Sequence, residues 1–356
     1  MIDSRLESVA AVFEQVLAEG GGGAFAAYID GVLALDLWGG ELPEGRPWEE
    51  TTPCLIFSGT KGLVAASMLM LIERHTFSLD TRVAEIWSEF AAAGKDQVTI
   101  AQVLSHTAGL PGIEAAFGDL TNQKEIADRI AAAPLLTPAG AVTYHALTFG
   151  TICDAIIRRV DGRTTGRFVA EEIAAPLSLE AWIGAPEEVA ERAAVPFRAP
   201  DFELAAHLAS APDPRLAFAY GQLATDWSSL LTGEIPSANA VATARAMARF
   251  YAALIGEVEG IRLLASDHRA RTELAAGLDV LSGRPLRFSA GFELAGTPSF
   301  LGPVPDVYGF TGSGGSTHGA WPSLRTTFSY CMTVMRPEHR DTRAARLLTA
   351  LAEAVG

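Results

Sequence analysis

The chain reads as an α+β protein. An antiparallel sheet is assembled from the two ends of the sequence and flanked by N- and C-terminal helices, with a mostly helical domain inserted between. Three observations predict this: strand-type runs gather near residues 24–38 and 287–335, helix-type runs fill the span between them, and helical patterns open and close the chain. The expected division is 1–57 with 285–356 as a discontinuous α/β domain and 58–284 as the helical domain, with an active site at their junction.

Taken in order, residues 3–19 place Leu6, Val9, Phe13, Val16 and Leu17 at helical spacing behind an Asp3-Ser4 capping pair, and stop at the glycines 20–23. Residues 24–29 and 32–38 flank Asp30-Gly31, a dipeptide that suits a two-residue hairpin because it tolerates positive φ at both central positions. The run Pro53-Cys54-Leu55-Ile56-Phe57 reads as extended and buried, and residues 63–72 as a helix apolar nearly all round, hence a core helix. Residues 76–103 mix short helices with a loop at 93–96, and Thr99 is placed to cap a short helix that ends in a turn at 104–110. Further helices are expected at 122–133, 146–159, 166–175 and 240–256, with an irregular, proline-rich connection at 194–214. Strand patterns return at 287–294, continue through the glycine-rich 308–319 and finish with the β-branched and aromatic 326–335, before a last helix at 340–355. No internal repeat or low-complexity tract interrupts this order.

Composition narrows the function classes. With 356 residues, 49% hydrophobic and 19% charged, the chain can bury a large core. Its 42 acidic against 27 basic residues give a net charge of −15, which disfavours nucleic acid and anionic membranes as partners and suits cationic or neutral small molecules. No basic start followed by an apolar run marks a secretory signal, and no apolar stretch reaches about 18 residues, so a cytoplasmic protein is expected. The 3 cysteines, Cys54, Cys153 and Cys331, are far apart in apolar surroundings and read as buried free thiols. None of the 7 histidines forms an HExxH or other close metal-binding pair, so neither a metal site nor a cofactor is expected.

The most pointed chemical feature is Phe57-Ser58-Gly59-Thr60-Lys61-Gly62. Residues three apart on a helix have Cβ atoms roughly 5–6 Å apart, so the Lys61 amine can reach the Ser58 hydroxyl. A serine hydroxyl needs a base, and a lysine serves as one when burial depresses its pKa, which the apolar helix would supply. It is the only serine–lysine pair at this spacing, and the chain has just two other lysines, Lys95 and Lys124. Tyr144, in Val142-Thr143-Tyr144-His145-Ala146-Leu147, is a candidate second proton carrier at a helix start. The glycine-rich Gly309-Phe310-Thr311-Gly312-Ser313-Gly314-Gly315-Ser316 can bring a backbone edge close to a substrate, with the Ser313 amide a candidate oxyanion donor beside that of Ser58. His106 is expected to be a hydrogen-bonder within its turn, and His145 and His318 are pocket-wall candidates. No Gly-x-Ser-x-Gly elbow supports a Ser-His-Asp site.

Together these motifs resemble the serine β-lactamase and penicillin-binding-protein superfamily, in particular the class C β-lactamase-like branch that includes family VIII carboxylesterases. Ser58-Gly59-Thr60-Lys61 matches its Ser-x-x-Lys, Tyr144-His145-Ala146 its Tyr-x-Asn, Phe310-Thr311-Gly312 its Lys-Thr-Gly or His-x-Gly strand, and Leu104-Ser105-His106-Thr107-Ala108-Gly109-Leu110 its Leu-Ser-His-x-Ser-Gly-Leu. The resemblance implies a β-lactamase/transpeptidase-like fold with the site where its two parts meet. It also implies that Ser58 is acylated, that Lys61 and Tyr144 share the acid and base roles, and that the Ser58 and Ser313 amides bind the oxyanion. Phe310, Thr311, Gly312 and His145 would then contact substrate. Ala146 stands where the β-lactamases keep an asparagine and Phe310 where they keep a cation, which favours a carboxylesterase acting on small to medium neutral esters. A β-lactamase or D-amino-acid peptidase, an acyltransferase, and a binding module on the same fold are the alternatives.

Overall fold

A computed structural model describes residues 4–113, 117–199, 202, 226–297, 299–337 and 340–356. Asp3, and with it the expected Asp3-Ser4 cap, lies outside these residues, as does most of the proline-rich connection at 194–214. The first helix, α1 (Glu7–Ala18), is preceded by a 3-10 turn over Ser4–Leu6, and its N-cap position is held by Leu6 without a side-chain hydrogen bond. Strands β1 (Gly23–Ile29) and β2 (Val32–Gly39) follow, joined through Asp30 and Gly31 with φ of 52° and 76°, the double left-handed turn that the Asp-Gly pair favours.

The inserted region opens with α2 (Thr60–Glu73), buried along its whole length up to Ile72. Thr99 caps the short helix Ile100–Leu104 in a reciprocal capping box with Gln102, and Asn122 caps α3 (Gln123–Ala132). Helix α4 (Thr148–Val160) comes next, and α5 (Ala244–Ile255) is capped by Thr243. The chain then builds the rest of the sheet: β3 (Ala275–Leu278), β4 (Pro285–Phe288), β5 (Glu293–Leu294), β6 (Tyr308–Thr311), β7 (Thr317–Trp321) and β8 (Thr326–Met332), before the closing helix α6 (Arg343–Val355). The run at 287–294 is therefore two strands, interrupted where Gly291 takes a φ of 97°.

These eight strands form one sheet in the order β2-β1-β8-β7-β6-β5-β4-β3, and every neighbouring pair is antiparallel. The sheet includes Ala275–Leu278, so it begins ahead of residue 285, where the sequence placed the return to the sheet domain. Strand β1 shows no polar alternation because both its faces are covered. Phe25 and Ala27 pack with Val9, Phe13 and Val16 of α1 and Leu347, Leu348 and Leu351 of α6. Ala24, Ala26 and Tyr28 face the other core, which holds α5 and α2.

A separate three-stranded ribbon pairs Cys54–Leu55 with Val241–Ala242 and the latter with Ala181–Trp182. It fixes the run that leads into Ser58. Cys54, Cys153 and Cys331 are buried free thiols, as composition suggested. Among the described residues no helix is long and apolar enough to cross a membrane.

Candidate active site

Ser58 sits in the 3-10 turn Phe57–Gly59 that leads directly into α2. Phe57 holds a φ of 46°, sparsely populated for a residue with a Cβ and a local strain of order 1–3 kcal/mol. The turn is held from several sides. Thr60 Oγ1 donates to the Phe57 carbonyl at 2.6 Å and accepts from the Ala240 amide at 2.8 Å, while the Ile56 amide donates to the Ala240 carbonyl at 3.0 Å. Gly59 has no room for a side chain, since a Cβ there would lie 2.6 Å from His318 Cδ2.

Lys61, on the first turn of α2, is fully buried, and its Nζ lies 3.2 Å from Ser58 Oγ. It donates to the carbonyls of Ala146 at 2.8 Å and Ser237 at 2.9 Å. Burial pushes the Lys61 amine well below its ordinary pKa. A neutral amine has two N–H groups and one lone pair. In that form the two carbonyls would take the two N–H groups and leave the lone pair for the Ser58 hydroxyl proton. Tyr144 completes the arrangement: its hydroxyl donates to Ser58 Oγ at 2.8 Å, and its ring centroid lies 5.0 Å from Lys61 Nζ.

The loop that carries Tyr144 is pinned by backbone contacts. The Tyr144 amide donates to Asp279 Oδ2 at 2.7 Å, the Thr143 amide to the His106 carbonyl at 2.9 Å, and the His145 amide to His106 Nδ1 at 2.9 Å. His106, at φ 58°, thus acts as the hydrogen-bonder of its turn, and its ring also packs 4.9 Å from that of Tyr144.

Two expected substrate contacts are corrected. His145 is fully buried: Nδ1 lies 2.5 Å from the Thr143 carbonyl and Nε2 accepts from the Leu110 amide at 3.0 Å, so both ring nitrogens are occupied inside the loop. Burial also lowers its pKa to about 4, keeping it neutral. Phe310 is 1% exposed, clustered with Val142 and Phe288, its centroid 5.8 Å from Lys61 Nζ and 6.5 Å from the Tyr144 ring. Its ring packs between these apolar neighbours and the Lys61 amine, which leaves it almost no surface for a substrate. His318, a pocket-wall candidate, is likewise buried, with Nδ1 2.7 Å from Ser329 Oγ. Thr311 is half-buried and donates to Glu293 Oε2 at 3.2 Å.

The strand end and the nucleophile turn lie side by side. A Cβ on Gly312 would come 2.4 Å from the Ile56 carbonyl, so glycine lets the backbones meet, and Ser313 lines the same cleft as Phe57. Ser237 and Asp279 were missed in the sequence. Ser237 acts through a backbone carbonyl, which any residue carries, and Asp279 holds an amide far along the chain, so neither left a signal.

A family profile for beta-lactamase matches residues 9–353. The chain is 34% identical over 336 residues to the esterase/beta-lactamase LipL of Mycobacterium tuberculosis, covering 87% of this chain and 76% of that protein. It superposes on a penicillin-binding-protein homologue of Caulobacter crescentus with a TM-score of 0.90 at 32% identity, covering 99% of this chain and 98% of the other. On a family VIII carboxylesterase the TM-score is 0.89 at 30% identity, again with 99% and 98% covered. With the Ser58–Lys61–Tyr144 arrangement set in such a fold, the chain belongs to the beta-lactamase family, within the serine β-lactamase and penicillin-binding-protein superfamily.

Proposed function

We propose that this serine hydrolase cleaves small to medium carboxylic esters through an acyl-Ser58 intermediate, without a cofactor. The observation that carries the reading is Ser58 Oγ held 3.2 Å from a fully buried lysine amine and 2.8 Å from a tyrosine hydroxyl. Lys61 takes the Ser58 proton as Oγ attacks the ester carbonyl, and the amides of Ser58 and Ser313 receive the developing oxyanion. Tyr144, hydrogen-bonded to Oγ, then passes a proton to the departing alkoxide. Water enters by the reverse proton route to release the acid. Phe310, apolar where a cation would greet a carboxylate, favours neutral esters, and the names of the Mycobacterium and family VIII relatives point the same way. Its setting would be the junction of a discontinuous sheet domain and the helical insert, and its location cytoplasmic.

The test is intact-mass analysis after a fluorophosphonate and after p-nitrophenyl butyrate. One adduct per chain, mapped to the Ser58 peptide, together with ester turnover is expected. Absence of both adduct and turnover overturns the reading, and nitrocefin hydrolysis faster than ester turnover moves it to a lactamase. Tyr144→Phe is expected to lower kcat by about 10²-fold with the chain still folded, because the proton path to the leaving group is lost. A kcat within about 3-fold of wild type would remove Tyr144 from the mechanism.

A further inference from the structure

The reading above leaves open which half of the ester the protein grips, and one cavity bears on it. A cleft of about 360 Å³ is walled by Phe57, Phe197, Phe202, Trp227 and Met335, with Ser313 at its edge. Four of these residues are aromatic. Phe57 and Trp227 meet edge to face, with centroids 5.7 Å apart and planes at 88°, which makes a right-angled apolar corner. Trp227 is buried and Phe197 is 42% exposed, so the cleft runs from a closed inner corner to an open rim. The rim side is built into the fold: the Phe197 amide donates to the Thr333 carbonyl at 2.8 Å and the Ala199 amide to the Met335 carbonyl at 3.0 Å. The charged residues on its wall, Arg198 and Asp226, are exposed, and Asp226 is engaged by the amide and hydroxyl of Ser228.

The stereochemistry of the reaction assigns this cleft a role. The tetrahedral carbon formed on Ser58 carries four substituents: Oγ, the oxyanion, the alkoxide leaving group and the acyl chain. The oxyanion lies at the Ser58 and Ser313 amides. The leaving oxygen must receive its proton from Tyr144, so it lies on the Tyr144 side. Ser58, Lys61 and Tyr144 do not line the cleft, whereas Phe57, next to Ser58 in the chain, and Ser313 do, so the cleft lies beside the two oxyanion amides rather than beside Tyr144. The substituent left to enter it is the acyl chain.

We infer that the aromatic cleft is an acyl-specificity site and that the preferred substrates are esters of aryl-substituted carboxylic acids, of the phenylacetic or benzoic type, with little discrimination among alcohols. This rests on the acyl-serine reading above. A single ring fits a cleft of this volume, stacking against one wall of the Phe57–Trp227 corner and meeting the other edge-on.

The experiment compares kcat/KM across p-nitrophenyl acetate, butyrate and phenylacetate, so that the leaving group is constant, and separately across ethyl and benzyl acetates, so that the acyl group is constant. The phenylacetate is expected to exceed the acetate by about 10-fold or more, with the alcohol series flat within about 3-fold. Phe197→Ala, at the exposed rim, and Trp227→Ala, at the inner corner, are each expected to collapse the phenylacetate-to-acetate ratio toward one; Phe197→Ala gives the answer if the loss of the buried Trp227 ring unfolds the chain. Equal rates across the acyl series, selectivity found in the alcohol series, or a ratio that survives Phe197→Ala overturns the inference while leaving the acyl-serine reading intact. Failure of every ester, together with no fluorophosphonate adduct on Ser58, overturns both.

Discussion

Lys61→Met is expected to lower kcat on a p-nitrophenyl ester by about 10²- to 10⁴-fold, the range a positioned base contributes. Methionine keeps the length and apolar stem of the side chain, so it tests the amine rather than the packing. The pH dependence identifies the amine further. Only the neutral form of Lys61 can accept the Ser58 proton, so wild-type activity should fall as pH drops through the depressed Lys61 pKa, and that acid limb should be missing from the residual rate of the variant. The other titratable groups packed around Lys61 do not supply such a limb. Burial pushes the His106 and His145 imidazoles below their ordinary values, the latter to about 4, and raises the Cys153 thiol.

Stability gives an independent reading of the same group. A lysine whose folded pKa lies below its unfolded value of about 10.4 costs stability wherever the unfolded chain takes up a proton that the folded chain refuses. That cost is absent above the unfolded pKa, grows as pH falls, and is complete below the folded pKa. The melting temperature of Lys61→Met relative to wild type should therefore rise as pH is lowered from about 10 toward neutrality. Loss of the donors to the Ala146 and Ser237 carbonyls adds a pH-independent offset in the other direction. An unaltered kcat, or a temperature difference independent of pH, would show that Lys61 is an ordinary buried cation.

How much of this was legible beforehand depends on whether a feature is local. The Ser58–Lys61 relation was readable because helical geometry alone brings residues three apart together, and the Asp30-Gly31 hairpin because two residues determine its turn. The capping box at Thr99 was half readable: the cap was, whereas the reciprocal contact from Gln102 needs both side chains in place. Phe310 shows the opposite limit. Its residue type told that no cation stands there, yet whether its ring meets substrate or packs behind Lys61 depends on Val142 and Phe288, which arrive from two other parts of the chain. His145 failed for a related reason, since the Leu110 amide takes one of its ring nitrogens and the Thr143 carbonyl the other. The π-helical turn Ala170–Ala174 within the helix expected at 166–175 left no sequence signal for which we have a physical account.

The other large effect is expected at Asp341, far in sequence from every motif. Asp341→Ala should destabilise the protein by about 3–5 kcal/mol, because it strands the Arg343 guanidinium, which is 3% exposed, without its partner. The carboxylate accepts from Arg343 Nη2 at 2.6 Å and from Nε at 2.9 Å, and Oδ1 also accepts the Arg343 amide at 3.1 Å at the start of α6. Arg343 in turn donates to the Val334 carbonyl at 2.7 Å and the Gly314 carbonyl at 3.4 Å, and the Arg336 amide donates to Gly314 as well, at 3.2 Å. The ion pair thus anchors the glycine turn that carries the Ser313 amide, and Gly315 passes so close that a Cβ there would lie 2.3 Å from Asp341 Oδ2. If Ser313 serves the oxyanion, Asp341→Ala should show two separable losses: a melting temperature lower by about 4–7 °C, and a kcat lower by about 10-fold with KM little changed, measured well below the new midpoint, because a loosened amide stabilises the oxyanion less than a fixed one. Asp341→Asn keeps an acceptor for the α6 amide while removing the charge, so its loss of stability should be smaller. A variant that melts early but turns over at the wild-type rate would confine Asp341 to stability, and one that melts as wild type would show that the Arg343 cation finds another partner.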